Sequence, residues 1–129
     1  MSNISVLQIL IISIAAGFGE EFFFRGLLQS GICESINNWT KNTTSAGAEF
    51  WAMYHVVIVL ISVSILFGLA HAVTKMYFFL AFLISIYLGV ILILTDNIFI
   101  PVSIHAFYDF VVLVYLRKRL QFRSLSDMF

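Results

Sequence analysis

The sequence predicts an all-α, polytopic bundle of about four transmembrane helices, and three observations point there. Of 129 residues, 61% are hydrophobic and only 11% are charged. With a mean hydropathy of +1.02, this is not the composition of a soluble domain. The apolar residues fall in long runs, each sufficient to cross a hydrocarbon core of about 30 Å at 1.5 Å per residue. Short polar breaks separate those runs. Membrane lipid is therefore a partner. A nucleic-acid partner has no support, because the formal net charge is zero and basic residues gather only at the C-terminal end. The single cysteine, Cys33, excludes an internal disulfide and any multi-cysteine metal cluster, and reads as a small apolar residue near a helix end.

The first run extends from about Ile4 to Leu28. Ala15-Ala16-Gly17 resembles a leader cleavage site, but no Lys or Arg precedes the run, so the basic region of a secretory leader is missing. Cleavage there would also release the chain just ahead of its charged cluster. The run is read as a span. Gly31 to Gly47, rich in Ser, Asn and Thr, reads as a linker. It holds two formal glycosylation triplets, Asn38-Trp39-Thr40 and Asn42-Thr43-Thr44, of a kind that polar loops produce by chance. The second span covers about Phe50 to Ala72. Trp39, Trp51 and Tyr54 suit an interfacial belt, and His55 reads as an interfacial histidine. A third span covers about Met76 to Leu94. The fourth covers about Ile98 to Leu116, with Pro101 beginning or kinking its helix. Arg117, Lys118, Arg119 and Arg123 follow. Four spans put Lys75 on their side and leave Lys41 alone opposite, so the positive-inside rule places both termini in the cytoplasm. Residues 1–120 form the core in this reading, and 121–129 a short cytoplasmic tail.

Charges inside the spans carry the chemistry. Gly19-Glu20-Glu21-Phe22-Phe23-Phe24-Arg25-Gly26 sets two carboxylates and a guanidinium in an apolar segment. A charge near a bilayer centre costs roughly 2.5–3.5 kcal/mol on insertion scales, so these groups require partners or a polar cavity. Glu21 and Arg25 are four apart and share a helix face, where they can pair. Glu20 is rotated by about 100° and lacks that partner. One structural ion pair and one working carboxylate result.

The second span ends Phe67-Gly68-Leu69-Ala70-His71, and the fourth carries His105 and Asp109 on one face. Singly, His71 suits an interface and the His105/Asp109 pair suits either structure or proton relay. Together with Glu20, Glu21 and Arg25 they make up nearly all the ionisable groups within the spans. Groups of this kind face a bundle interior, where they can meet. A carboxylate and two imidazoles around one cavity are the parts that activate water against a carbonyl and steady the developing oxyanion.

In that order, Glu20-Glu21-x-x-x-Arg25, Phe67-x-x-x-His71 and His105-x-x-x-Asp109 resemble the three motifs of the CAAX-processing and bacteriocin-processing (CPBP) intramembrane proteases, which include the type II CAAX prenyl endopeptidases. The resemblance covers about Ala15 to Tyr115. It implies hydrolysis of a peptide bond in a membrane-tethered substrate, a prenylated CAAX-type C-terminus or a leader peptide. Glu20, helped by His71, would activate the water, and His105 with Asp109 would position the carbonyl and steady the oxyanion. Glu21, Arg25 and Phe67 would support them. No cofactor is required in this reading. The alternative makes Glu20, His71 and His105 ligands of a zinc ion with one open position. The expected location is a prokaryotic plasma membrane or an organelle membrane, with an oligomer or a further membrane subunit as possible company.

Asp109 departs from the asparagine of many members. Ionised, it cannot donate a hydrogen bond and would instead orient His105; protonated, it would donate as an acid. Two readings from other classes stand beside proteolysis: a non-catalytic immunity or scaffold protein on the same fold, and a small proton-relay transporter. A geometric tension also follows from the spans as drawn. Glu20 lies past the middle of the first and His71 closes the second, which sets their depths roughly ten ångströms apart. A kink near Gly17 or Gly19, tilt, or a shifted second span would be needed to bring them together.

Overall fold

In the computed structural model, residues 4–43 and 45–126 are described, with side chains through residue 120. Every regular element among the described residues is helical. Helix α1 (Val6–Glu21) runs without a break into a π-helical segment (Phe22–Ser30), and that into α2 (Gly31–Lys41). Helices α3 (Ala46–Ala70), α4 (Lys75–Thr95) and α5 (Phe99–Ser126) follow. Among the described residues four continuous helices are long and apolar enough to cross a membrane, and the chain is an integral, multi-pass membrane protein.

Polar side chains punctuate the chain where the runs break. Ser5 and Gln8 form a reciprocal capping box that starts α1. Ser45 accepts from Ala48 N at 3.2 Å to start α3, and Thr74 accepts from Tyr77 N at 3.1 Å to start α4. Asp96 ends α4 in the left-handed conformation (φ 49°), which short polar side chains tolerate. Pro101 begins rather than kinks α5: it lies in the first turn, where its missing N–H would have no helical partner.

The expected linker from Gly31 to Gly47 is instead helix as far as Lys41. Its composition is that of a loop, but Cys33, Ile36 and Thr40 stand at helical spacing and are half-buried on the side that packs on α3. Only a short connection remains before α3. Thr44, and with it the second glycosylation triplet, falls partly outside the described residues. The last helix likewise continues through Ser126, past the expected end of the fourth span, while the side chain of Arg123 lies outside the described residues. His55 is 3% exposed and donates from Nδ1 to the Trp51 carbonyl at 2.7 Å, so it is a buried histidine rather than an interfacial one. Trp39, Trp51 and Tyr54 are exposed.

A column of buried residues at a spacing of four, Ile9, Ser13, Gly17, Glu21, Arg25 and Gln29, runs along the first helix. In an α-helix each step of four overshoots a full turn by about 40°, so the column would wind away from the core. A π segment has more residues per turn and turns the drift back. It is placed where Glu21, Arg25 and Gln29 must all point inward.

Specific contacts fix the directions of the helices. Gly17 abuts Ala106 and Gly26 abuts Ile98, so α5 runs antiparallel to the first helix. Arg25 meets Ser85 and Gln29 meets Gly89, so α4 runs parallel to it. Phe24 meets Phe67, and Leu60 lies over Gly89, which sets α3 antiparallel to α4. The helices α1 and α5 thus pack on each other at one end, and α2 with α3 at the other. This arrangement resolves the depth tension: α3 pairs with the second half of a longer first helix, and its C-terminal His71 arrives beside Glu20.

At Gly17 a Cβ would come within 2.9 Å of the Ala106 backbone nitrogen, closer than such atoms approach. Gly17→Ala is expected to push α5 off α1, at a cost of about 1–3 kcal/mol. Thermal unfolding in detergent measures this, and unchanged stability would show that the approach is not tight.

Candidate active site

Four side chains from three helices meet at the level where α3 ends. Glu20 Oε2 stands 3.4 Å from His71 Nε2 and 3.8 Å from His105 Nε2, and Asp109 Oδ2 is 3.6 Å from the same His105 nitrogen. The helical rotation between adjacent residues separates the two glutamates. Glu20 is one-third exposed, toward a cavity, whereas Glu21 and Arg25 are fully buried.

Glu21 has two partners. Its Oε2 is 3.1 Å from Arg25 Nε, the pair predicted by the four-residue spacing. Its Oε1 accepts from His105 Nδ1 at 2.8 Å, a contact between distant helices that spacing could not reveal. Arg25 in turn donates from Nη2 to both the carbonyl and the hydroxyl of Ser85, each at 2.9 Å. The Arg25 guanidinium also lies 5.6 Å from the ring centroid of Phe67. One turn on, Gln29 donates to the Gly89 carbonyl at 3.2 Å. Ser85 and Gln29 were not among the expected support residues. The signal was present: Gln29 continues the Glu21, Arg25 spacing, and Ser85 and Gly89 repeat it on α4.

The two imidazoles are oriented by their other nitrogens. His71 Nδ1 donates to the Phe67 carbonyl at 2.9 Å, and its ring stacks on Phe67 with centroids 4.4 Å apart. A carbonyl can only accept, so a proton sits on Nδ1 and Nε2 is turned toward Glu20. Glu21, also an acceptor, fixes His105 in the same way. Both Nε2 atoms therefore face the cavity.

That cavity has a volume of about 340 Å³. Glu20, His71, His105 and Asp109 form one part of its wall, with Tyr77 and Tyr108, two hydroxyls the sequence reading did not single out. The rest is apolar, built by Leu80, Ala81 and Ile84 of α4 and by Val112, Leu113 and Leu116 of α5. A reactive polar end and an oily extension thus share one space. As for the zinc alternative, no group of three or more His, Cys, Asp or Glu side chains among the described residues is arranged to hold a metal ion.

No curated protein and no solved structure gives a significant match to the chain. Residues 2–111 match a family described as Rce1-like, type II CAAX prenyl endopeptidase Rce1-like, so the match contains Glu20, Glu21, Arg25, His71, His105 and Asp109. With that match over most of its length, the chain belongs to the Rce1-like family of type II CAAX prenyl endopeptidases.

Proposed function

We propose that this protein is an intramembrane endopeptidase that uses its own side chains to drive water onto a peptide carbonyl. Membership of a protease family implies a protein or peptide substrate. The observation that carries the reading is the position of Glu20 Oε2, facing the Nε2 atoms of both His71 and His105. Glu20 takes a proton from water with the help of His71, and the water oxygen attacks the carbonyl carbon. His105 and Asp109 position that carbonyl, and a proton held at His105 Nε2 would steady the oxyanion. On collapse the carbonyl re-forms, the C–N bond breaks, and the leaving amine takes the proton gathered by Glu20 and His71. Glu21 and Arg25 hold His105 and the first helix in place throughout.

The apolar extension of the cavity favours a substrate whose scissile bond is attached to a membrane-embedded or lipid-bearing segment. Incubation of reconstituted protein with a panel of membrane-tethered peptides, prenylated and not, tests the reading. Cleavage that requires Glu20 supports it, and peptide turnover indifferent to Glu20→Gln overturns it. No metal enters this scheme. Hydrolysis is expected to survive exhaustive chelation, with substoichiometric zinc in the active protein. Loss on chelation and rescue by zinc would move Glu20, His71 and His105 to the role of ligands.

A further inference from the structure

We propose that the phenol hydroxyl of Tyr77 is a further catalytic group, a neutral donor to the oxyanion that forms in this cavity. The inference rests on the proteolytic reading and comes from counting the donors available there. His71 commits its Nδ1 proton to the Phe67 carbonyl, 2.9 Å away. His105 commits its own to Glu21, at 2.8 Å. Asp109 has a proton to give only in its acid form, and ionised it has none. What remains on α5 is His105 Nε2, which already faces the carboxylates of Glu20 at 3.8 Å and Asp109 at 3.6 Å. An oxyanion in a water-poor site calls for pre-oriented donors, and carboxylates beside it disfavour its charge. One contested nitrogen is a poor provision.

The cavity wall offers two neutral donors, Tyr77 and Tyr108. Tyr108 belongs to α5, the helix that already supplies His105 and Asp109. Tyr77 belongs to α4, a different helix, and lines the cavity beside His71. Its ring centroid is 6.2 Å from that of His71, and it lines the same cavity as Glu20 and Asp109. The side chain is 47% exposed, so it is not consumed in packing. Its backbone is held by the Thr74 cap, which fixes the first turn of α4 just after His71. The residue is thus anchored at its root, with its ring in the cavity wall beside His71.

The role is a hydrogen bond and not a proton transfer. As the water oxygen bonds to the carbonyl carbon, the π pair moves onto the carbonyl oxygen. Tyr77 O–H donates to that oxygen and keeps its proton. When the pair returns and the C–N bond breaks, the hydrogen bond relaxes. A neutral donor serves this purpose without adding charge to a site that already holds two histidines and three carboxylates.

Tyr77→Phe removes only the hydroxyl. In the membrane-tethered peptide assay it is expected to lower kcat by about 10²-fold. KM should stay within a few-fold and thermal unfolding in detergent should match the parent. Tyr108→Phe and Glu20→Gln run beside it. Parental kcat in Tyr77→Phe, with cleavage abolished in Glu20→Gln, would overturn the tyrosine role and leave the protease reading intact. A loss confined to Tyr108→Phe would also overturn it. An equal rate in the parent and in Glu20→Gln would overturn both readings together.

Discussion

Glu20→Gln is expected to lower peptide cleavage by about 10³-fold or more while leaving the fold intact. The substitution keeps the size of the side chain and removes its capacity to take a proton, and a positioned general base contributes about 10²–10⁴-fold. Glu20 should not be needed for folding, because it is one-third exposed to the cavity and the buried ion pair is made by its neighbour. His71→Ala should fall by a similar or slightly smaller factor, since it removes the nitrogen facing Glu20 and the ring stacked on Phe67. Turnover of membrane-tethered peptides, followed with purified protein whose melting point matches the parent, measures both. Parental rates in both variants would favour the immunity or scaffold class. Proton flux across liposomes that depends on Glu20, without any cleavage, would favour the transporter.

The largest stability effect is expected at Glu21. Glu21→Ala leaves the guanidinium of Arg25, fully buried, without its counter-charge, and leaves His105 Nδ1 without an acceptor. Breaking a buried pair from one side costs about 3–5 kcal/mol, because the remaining charge stays desolvated. Replacing both partners is a different experiment. Glu21→Leu with Arg25→Met removes the stranded charge, and stability should return close to the parent. Activity should not return, because no carboxylate then holds His105 in register with Glu20. Unfolding in detergent and peptide cleavage, measured on the single and double variants, separate the two roles. A Glu21→Ala protein as stable as the parent would show that the pair is not what holds the first helix.

The motif residues were legible in the sequence because each lies on one helix with a spacing that local geometry interprets. Glu21 and Arg25 are the clearest case: four residues apart in an apolar run, they pair as helix geometry requires. The cost of placing charges in lipid also foretold that residues of three helices would meet. What spacing could not supply was the partner across helices. Nothing in the neighbourhood of Glu21 says that His105, eighty-four positions later, occupies its second oxygen. Gly31 to Lys41 misled for a related reason, since its loop-like composition is overruled by three residues that find a partner in α3. Tyr77 and Tyr108 carry no such spacing signal, and only the cavity brings them together.

By itself the sequence determined that this chain is a membrane bundle and which polar groups must be hidden within it, because hydropathy and helical period act over neighbouring residues. Only the tertiary structure decided the division of those groups into the sets that meet across helices. That division depends on the depth at which antiparallel helices come to rest, set here by a first helix that continues past the expected span and by a π segment that keeps one face turned inward. Depth is a sum over many packing contacts, and no local pattern encodes it.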